Sequence, residues 1–497
     1  MLRTHPLDLH EIRSRIASSL VLKDLASCAR VSQDWNDSFT PPLFKSVVLS
    51  NDGPSMESVE KNKHFIRHLE IQRPVFEKQS WTITQDNIVL SVMTNSTLIT
   101  LNIPNNRIGD YGTHLLSEAL KINSSLTNLL LKRNKVGSYG AQALSEALKI
   151  NSTLTTLDLG SNTIGSNGAQ ALAEALKVNS TLTTLHLDDN KIGYKGAQAL
   201  AEALKSNSTL TTLDLWVNSI RDDGAQALAE TLKTNSTLAT LNLCRNSIGD
   251  NGARALAETL KTNSTLVTLN LQSNSIRDEG AQALSETLKT NSTLTTLDLE
   301  NNSIGNNGFQ AMAEALKTNS TLISLDMDRP NASSYNGDVL ICEALKVNST
   351  LTTLTMHLGE KGAEALSMVL KRNSALTSLT IFNTSIGDNG AQALAEALKI
   401  NSTLTTLNLV SNSIGNDGAQ MLAEALMMNS TLTTLNLRDN SIEDSGIQAL
   451  AEALKINSTL TTLNLHDNSI GDIGIQALAE ALKTNSTVTI EGFVSTK

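Results

Sequence analysis

The stretch from Leu154 to Thr181 reads LTTLDLGSNTIGSNGAQALAEALKVNST and decides the fold. Its opening segment, LTTLDL, places leucines where a short strand would turn them toward a core. Asn162 then marks a turn. Leu172 and Leu176 are four residues apart and share one face of a helix predicted over 169–177. The stretch therefore predicts one strand, one turn and one helix.

Near-copies of this 28-residue unit fill most of the chain. Each copy begins with a leucine: Leu98, Leu126, Leu154, Leu182, Leu210, Leu238, Leu266, Leu294, Leu322, Leu351, Leu376, Leu404, Leu432 and Leu460. One unit cannot bury its leucine face alone, whereas stacked units share a continuous core. Strands stack about 4.8 Å apart, and helices are about 10 Å wide, so the predicted stack curves with its strands inside.

The polar residues of the unit predict how its turns are held. Asn162 lies at the turn that follows the strand segment. Gly165 and Gly168 are expected to loosen the chain before the helix. Asn179 and Ser180 are expected to end the helix and turn the chain into the next strand.

One position escapes the uniformity of the repeats. It follows the third apolar residue of the strand segment and carries Pro104, Lys132, Gly160, Asp188, Trp216, Cys244, Gln272, Glu300, Asp328, His357, Phe382, Val410, Arg438 and His466. A constant frame with one varied line of side chains favours a surface that binds a partner. The alternative is drift at an exposed position, but the exposed helix residues stay nearly constant.

The varied line predicts a protein-binding concave face. The side chains expected to contact the partner are Lys132, Arg133, Asp188, Trp216, Cys244, Glu300, Asp328, His357, Phe382, Arg438 and His466. Lys132 and Arg133 would form a basic patch, and Trp216 is an aromatic residue of the kind that dominates interface energetics. An acidic stretch around Asp298 and Asp326 would follow. Patches of opposite sign would set the orientation of the partner.

Two regions depart from the regular repeat. Segments 66–71 and 44–49 contain weaker copies of the strand pattern, which predicts additional strands before Leu98. The spacing changes to 29 residues after Leu322 and to 25 after Leu351. Either degenerate repeats with a local kink or a loop from Arg329 to Gly337 near the binding surface would explain this change.

The motifs I-G-x-x-G-A and A-L-A-E-A-L-K in a 28-residue period resemble the ribonuclease-inhibitor-like class of leucine-rich repeats. The resemblance covers residues 98–490. It implies an α/β leucine-rich-repeat solenoid shaped as a horseshoe of ribonuclease-inhibitor type, which agrees with the curvature expected from the repeat itself. The resemblance also implies that Asn162 bonds backbone groups of the neighbouring turn, which would otherwise be buried without partners.

The first 49 residues follow a different pattern. The segments Leu7-Asp8-Leu9-His10-Glu11-Ile12, Ile16, Leu20, Lys23-Asp24-Leu25, Arg30-Val31-Ser32, Trp35 and Pro42-Leu43-Phe44 resemble an F-box, with His10 where the family has proline. The resemblance implies a small all-α segment that binds a Skp-type adaptor of a cullin-RING ubiquitin ligase. The implied adaptor contacts are Leu7, Leu9, Ile12, Ile16, Leu20, Leu25, Val31 and Trp35. A helical cap that shields the first repeat is the alternative.

Composition excludes several classes of protein. The formal net charge of −10 argues against nucleic-acid binding, which needs a basic footprint. The sequence contains no stretch of about 18 apolar residues, so no membrane span is predicted. It contains no run of basic residues that would predict a membrane-surface patch. The three cysteines are scattered, which favours a reducing compartment. With no signal-peptide pattern at the N-terminus, we expect a cytoplasmic or nuclear protein.

No catalytic motif is present, so we expect neither enzymatic activity nor a cofactor. The chain lacks a P-loop, an H-E-x-x-H motif, a C-x-x-C pair and a G-x-S-x-G elbow. His186 is expected to lie between Asp158 and Asp214 on adjacent strands, with Asp188 nearby. These residues could bind a metal, but we interpret them as a solvated polar face and predict no metal site.

These observations predict four regions: an F-box-like helical segment at 1–49, a connecting region with an irregular repeat at 50–97, the repeat horseshoe at 98–490 and a tail at 491–497. The favoured function is substrate recognition for an SCF-type cullin-RING ubiquitin ligase, with the target bound on the concave face. The alternative is a stand-alone scaffold or a GTPase regulator that resembles Ran GTPase-activating proteins.

Overall fold

The computed structural model describes residues 45–49, 61–72, 96–327 and 336–492. The chain divides into two compact units. The first contains the described residues up to Ile220 together with Thr234–Thr240, and the second contains Arg221–Lys233 and the described residues from Leu241 onward. The adaptor contacts predicted between Leu7 and Trp35 lie outside the described residues.

The first unit alternates strands and helices. Its strands are β1 (Ser46–Leu49), β2 (His68–Ile71), β3 (Thr100–Asn102), β4 (Asn128–Leu130), β5 (Thr156–Asp158), β6 (Thr184–His186) and β7 (Thr212–Asp214). Its helices are α1 (Gly109–Ile122), α2 (Ser138–Leu148), α3 (Gly165–Leu176) and α4 (Gly193–Leu204), and a 3-10 turn spans Lys63–Phe65. Consecutive strands from β1 to β7 pair in parallel. The strands predicted before Leu98 are therefore confirmed.

The second unit repeats the same alternation. Strand β8 (Thr240–Asn242) begins at Thr240, the last residue assigned to the first unit. The strands that follow are β9 (Thr268–Asn270), β10 (Thr296–Asp298), β11 (Ser324–Met327), β12 (Thr353–Met356), β13 (Ser378–Ile381), β14 (Thr406–Asn408), β15 (Thr434–Asn436), β16 (Thr462–Asn464) and β17 (Thr489–Glu491). The helices are α5 (Arg221–Leu232), α6 (Asp250–Leu260), α7 (Asp278–Leu288), α8 (Asn306–Leu316), α9 (Asn336–Leu345), α10 (Glu360–Leu370), α11 (Gly387–Leu398), α12 (Asn416–Met428), α13 (Asp444–Ile456) and α14 (Asp472–Ala481). Strands β9 to β17 pair in parallel in sequence order.

The core of each unit is built from layers of equivalent leucines. In the first unit Leu129, Leu157, Leu185 and Leu213 are register partners on adjacent strands, and all four are buried. Each helix adds a buried stripe of glycine, small residues and leucine, while its glutamine, glutamate and lysine face solvent. Each buried leucine contributes roughly 1.5–3 kcal/mol of hydrophobic stabilisation. The core thus requires stacking, as the repeat predicts.

The prediction that Gly168 precedes the helix is wrong. Helix α3 begins at Gly165, and Gly168 is buried within its first turn. A Cβ atom on Gly168 would lie 2.5 Å from Ile164 Cγ2 and 3.0 Å from the Ala141 side chain of the preceding helix. This glycine is therefore required for close helix packing rather than for a flexible approach to the helix.

The turn asparagines form a ladder that joins successive repeats. Asn162 Nδ2 donates to the carbonyl oxygen of Leu131 in the preceding repeat at 3.1 Å. Its Oδ1 accepts the N–H groups of Asn134 and Val136, each at 2.9 Å. One buried amide thus satisfies backbone groups of two turns, and the role predicted for Asn162 is confirmed.

A second asparagine ladder runs along the helix ends. Asn179 Nδ2 donates to the Leu148 carbonyl oxygen of the preceding repeat at 2.8 Å. Its Oδ1 accepts the N–H groups of Thr181 and Leu182, at 3.1 and 2.8 Å, and so turns the chain into the next strand. The N-S-T sequence is therefore a structural motif in which the asparagine side chain is buried.

A carboxylate from one repeat also caps the helix of the next. Asp110 Oδ1 accepts the N–H groups of Gly137 and Gly140, at 2.6 and 2.8 Å. An acceptor with a negative charge is favourable at a helix N-terminus. The equivalent of Asp110 in the next repeat is Ser138, and the helix that follows it starts instead with Gly165 at a φ of +63°. Asp110 thus caps the helix of the next repeat, whereas the helix that follows Ser138 begins with a glycine of positive φ.

The altered spacing between Leu322 and Leu376 leaves the strand register intact. Leu325, Leu354 and Leu379 remain partners across β11, β12 and β13. At the ladder position of the repeat that follows, Thr384 replaces asparagine and its hydroxyl bonds Asn412 Oδ1 at 2.8 Å. Residues 328–335, which include Asp328 and most of the predicted loop, lie outside the described residues.

We expect Asn190→Ala to lower the free energy of unfolding by about 2 kcal/mol or more, because buried backbone carbonyls lose their donor. Asn190 is fully buried and donates to the carbonyl oxygens of Leu159, Leu187 and Asp188, at 2.8, 3.1 and 2.9 Å. Urea denaturation measures the loss. The exposed Asn167→Ala is the control and should shift stability by less than about 0.5 kcal/mol. Equal stability of the two variants would contradict the ladder.

Candidate functional site

The varied side chains lie on one face of the strands, together with the strand residue two positions earlier. In the repeat that contains β7, Leu213 and Leu215 are buried, whereas Asp214 and Trp216 are partly exposed. This alternation places the partly exposed side chains on the side opposite the core. We call this surface, within each unit, the strand face: the varied residue and the strand residue two positions before it.

The last strand residue fixes the backbone of the varied residue. Asp214 Oδ1 accepts the N–H of Trp216 at 3.0 Å, and Asn270 Oδ1 accepts the N–H of Gln272 at 2.9 Å. The same bond recurs in the repeats that start at Leu154, Leu238, Leu294, Leu404, Leu432 and Leu460. In these repeats the varied side chain therefore leaves the backbone at a defined point.

In the first unit an ion pair spans two repeats. Lys132 Nζ lies 3.0 Å from Asp188 Oδ2, although the two residues are two repeats apart. Gly160 stands between them, and a Cβ atom there would clash with the Asp188 carboxylate. Three successive members of the varied line thus fit together: the Lys132 ammonium, Gly160 without a side chain, and the Asp188 carboxylate.

This ion pair engages Lys132, one of the two residues of the predicted basic patch. Asp188 is buried at 3% exposure, so its carboxylate contacts Lys132 and is shielded from solvent. Burial raises the pKa of Asp188, and the bond from Lys132 offsets part of that rise. Desolvation lowers the pKa of Lys132, but hydrogen bonding and attraction to Asp188 outweigh it, so the net shift is upward. Arg133 is exposed at the strand end, with a φ of +58°.

His186 lies between Asp158 and Asp214, as the sequence predicts. Its Nδ1 is 3.7 Å from Asp214 Oδ2. The bond to Asp214 raises the pKa of His186; burial opposes this, and the charges of Asp158 and Asp188 reinforce it. The imidazole is therefore cationic over a wider pH range than usual, which balances the neighbouring carboxylates. Within the residues that the structure describes, no group of three or more His, Cys, Asp or Glu is arranged to hold a metal ion.

In the second unit the varied residues form a hydrogen-bonded chain. Cys244 is buried, and its thiol donates to Gln272 Oε1 at 3.3 Å. Gln272 Nε2 donates to Glu300 Oε2 at 2.8 Å, and Asn301 Nδ2 donates to Glu300 Oε1 at 3.0 Å. Cys244 thus acts by fixing Gln272, while Gln272 and Glu300 are the partly exposed members of the chain.

The predicted acidic stretch contains carboxyls with raised pKa values. Burial, reinforced by the charges of Asp326 and Glu300, raises the pKa of Asp298 to about 7, although the Glu300 N–H and the Asn270 amide counteract it. Burial also raises the pKa of Asp326, and a bond from Thr355 partly offsets it. The negative charge of this stretch therefore changes around neutral pH.

The remaining predicted contacts lie toward the end of the second unit. The His357 and Phe382 rings, on neighbouring repeats, lie 4.1 Å apart between centroids and are tilted by 54°. Arg438 is exposed, with its Nε 2.8 Å from Asp467 Oδ2, and His466 is also exposed. The structure thus brings the predicted residues together as neighbouring pairs along the strand face rather than as one compact pocket.

Sequence reasoning did not identify the residues that connect the varied positions. Gly160 and Gln272 were members of the varied line but were not predicted to contact a partner, and the support from Asp214 and Asn270 was missed. The available signal was the recurrent Asp or Asn two residues before the varied position. Complementary residues one or two repeats apart were a second signal.

We expect Asp298→Asn to remove part of the pH dependence of stability. The folded pKa of about 7 exceeds the usual value near 3.8, so folding favours proton uptake between these values, and the stability from this group falls as pH rises through that window. The wild type should lose roughly 1–3 kcal/mol more than the variant between about pH 5 and pH 8.

Urea denaturation at both pH values measures this difference. Asparagine fits the site, because Asn270 occupies the same position in the preceding repeat and accepts the same backbone bond. The exposed Asp417→Asn serves as the control and should follow the wild type. If the pH dependence of stability is identical in Asp298→Asn and wild type, the pKa of the Asp298 carboxyl is not raised.

Comparisons with known proteins match the repeats. The family model described as NLRC3 LRR domain matches residues 168–491, and the one described as Leucine Rich repeat matches residues 151–173. No curated protein matches the chain. None of the helices in the described part of the chain is both long and apolar enough to cross a membrane.

Two solved structures resemble parts of the chain. An internalin, inlF, from Listeria monocytogenes is 20% identical over 76% of this chain and 83% of its own, with a TM-score of 0.39. The leiomodin-1 actin-binding site 2 is 27% identical over 31% of this chain and 88% of its own, with a TM-score of 0.28. Because both scores are low, neither likeness carries the functional argument. The match to residues 168–491, together with the repeat fold, shows that the chain belongs to the leucine-rich-repeat family described as NLRC3 LRR domain.

Proposed function

We propose that this chain is a non-enzymatic interaction scaffold that binds a protein partner on its strand face. One observation carries the proposal: the varied residues are matched to each other, while the frame around them is constant. Lys132 pairs with Asp188 across Gly160, and Gln272 bonds Glu300. Drift at an exposed position would leave unrelated neighbours, whereas selection for a surface produces such complementary groups.

The strand face suits a protein partner for a second reason. It presents Trp216, His357, Phe382 and Arg438, the aromatic and arginine types that dominate protein interfaces. The Trp216 N–H donates a hydrogen bond to Asp214 Oδ1, which holds the backbone of Trp216 in place. Preorganised side chains lose little conformational entropy on binding, and this increases the affinity available from each contact.

Trp216→Ala is expected to weaken binding of the partner by about 2 kcal/mol or more, because the variant removes an aromatic anchor. The partner would be the protein recovered by crosslinking and affinity purification with the wild-type chain. Isothermal titration of that purified partner measures the affinity. Gln198→Ala, an exposed change on the helix side of a neighbouring repeat, is the matched control and should bind normally. Wild-type affinity of Trp216→Ala would remove this residue from the interface.

The segment 1–49 carries the second part of the proposal. Its F-box-like pattern supports recruitment of a Skp-type adaptor, so the chain would deliver the protein bound on the strand face to a cullin-RING ubiquitin ligase. The physical contribution is proximity, because tethering raises the local concentration of the target near the transfer machinery. If the segment only caps the first repeat, the chain acts as a scaffold without a ligase.

A triple variant, Ile12→Asp, Leu25→Asp and Trp35→Ala, should abolish capture of a purified Skp-type adaptor, because it replaces apolar contacts of the F-box-like segment. Pull-down with the full chain measures capture. The triple variant should keep the strand-face partner, and Trp216→Ala should keep the adaptor. Failure of the wild-type chain to capture the adaptor would contradict the ligase role and leave the scaffold role standing.

A further inference from the structure

The turns between strand and helix in the first unit, and the first turns of its helices, carry cations and tyrosines that lie outside the strand-face proposal. We define the basic edge as Arg107, Tyr111, Arg133, Lys135, Tyr139 and Lys191. All six residues are exposed, and Tyr111 and Tyr139 are 71% and 76% exposed. We propose that the basic edge binds an acidic segment of a protein partner.

The cations of the basic edge are available for such a contact. Arg107, Lys135 and Lys191 each follow a ladder asparagine, so they occupy equivalent positions in the repeat. None of the ion pairs formed among the described residues involves them. The cations on the helices of this unit are different, because Lys121 and Lys149 each pair with a glutamate three residues earlier.

The nearby carboxylates do not neutralise this edge. Asp110 is engaged with the backbone N–H groups of the next helix. Asp188 is buried against Lys132 on the strand face. Asp189 is exposed, and it stands against four exposed cations of the basic edge. The edge is therefore positive, although the whole chain carries a formal net charge of −10.

The backbone at these positions makes the choice of residue informative. Arg107, Lys135 and Lys191 have φ values of +54°, +60° and +55°, in the left-handed region that costs roughly 1–2 kcal/mol for a residue with a Cβ atom. The fold also accepts serine at the equivalent position with the same backbone: Ser219 in the first unit and Ser247, Ser385 and Ser413 in the second have φ values of +54°, +56°, +53° and +56°. Long cations at strained positions where the same fold uses serine indicate a role beyond folding.

The tyrosines add a feature that favours a protein partner. Tyr111 and Tyr139 occupy equivalent positions on neighbouring helices, and no aromatic residue stands at this position in the second unit. Tyrosine and arginine are the residue types enriched at protein interfaces. Adjacent strands are about 4.8 Å apart, and same-side residues of an extended peptide are about 7 Å apart, so an acidic peptide could cross several repeats and meet successive cations.

A nucleic acid fits these observations less well than an acidic peptide. Phosphate binding depends on neutralising many charges along a continuous basic footprint, and the edge offers four cations on an otherwise acidic chain. Carboxylates spaced by apolar residues would use both the cations and the exposed tyrosines. The proposed partner segment therefore alternates acidic and apolar residues.

The test uses the full chain and a fluorescein-labelled peptide of alternating glutamate and leucine, with the glutamine–leucine version as its charge control. The test variant is Arg107→Ser, Lys135→Ser and Lys191→Ser, since Ser413 shows that this fold accepts serine at a φ of +56°. The matched control is Lys149→Gln, Lys177→Gln and Lys205→Gln, which removes the same number of charges from the helices of the same unit. Circular dichroism confirms that both variants are folded.

Fluorescence anisotropy should show binding of the glutamate peptide that weakens with added salt, while the glutamine peptide does not bind. The serine variant should bind at least about tenfold more weakly, and the glutamine variant should bind like the wild type. Tyr111→Asn with Tyr139→Asn should also weaken binding, and Asn167 shows that the position accepts asparagine. No binding by the wild type, or equal loss in both triple variants, would overturn the proposal. Binding of a labelled polyuridine RNA in place of the peptide would also overturn it.

Discussion

The buried asparagine amide at each turn is the interaction on which this fold depends. Asn190 shows why, because its Nδ2 reaches the carbonyl oxygens of Leu159 and Leu187, and its Oδ1 accepts the N–H of Ile164. A stack of short strands leaves many backbone groups in its turns, where no ladder partner is available. One amide, with two donors and an acceptor, satisfies these groups and fixes the distance between neighbouring repeats.

The same constraint explains where variation is tolerated. Leucines at the core and asparagines at both ladders are buried and bonded, so their replacement would leave cavities or unsatisfied backbone groups. At Trp216 and Gln272 the preceding Asp or Asn holds the backbone of the varied residue, while its side chain is partly exposed. It can therefore change without cost to the stack. The pairing of Lys132 with Asp188, and of Gln272 with Glu300, indicates that this freedom has been used for a surface.

The sequence predicts the period, the strand and helix order and the early strands, since each follows from a local pattern of apolar and polar residues. The Asn162 bonds were expected from the resemblance to leucine-rich repeats. It does not predict that Asp188 reaches Lys132, because that contact spans two repeats and depends on the missing side chain of Gly160. The role of Gly168 was also mistaken, because its close neighbour Ala141 lies in the preceding helix. Contacts that depend on the particular side chains of neighbouring repeats do not follow from the pattern within a single repeat.

We propose that the protein partner binds the strand face rather than the helix side. Hydroxyl-radical footprinting of the purified complex measures this most directly, because it reports the solvent access of individual side chains. Within each unit that the partner contacts we expect the strand-face side chains to become protected, Trp216 in the first unit and Phe382 and His466 in the second, while Met428, which is 67% exposed at a helix end, keeps its reactivity. Protection of Met428 with an unchanged Trp216 and Phe382 would contradict it.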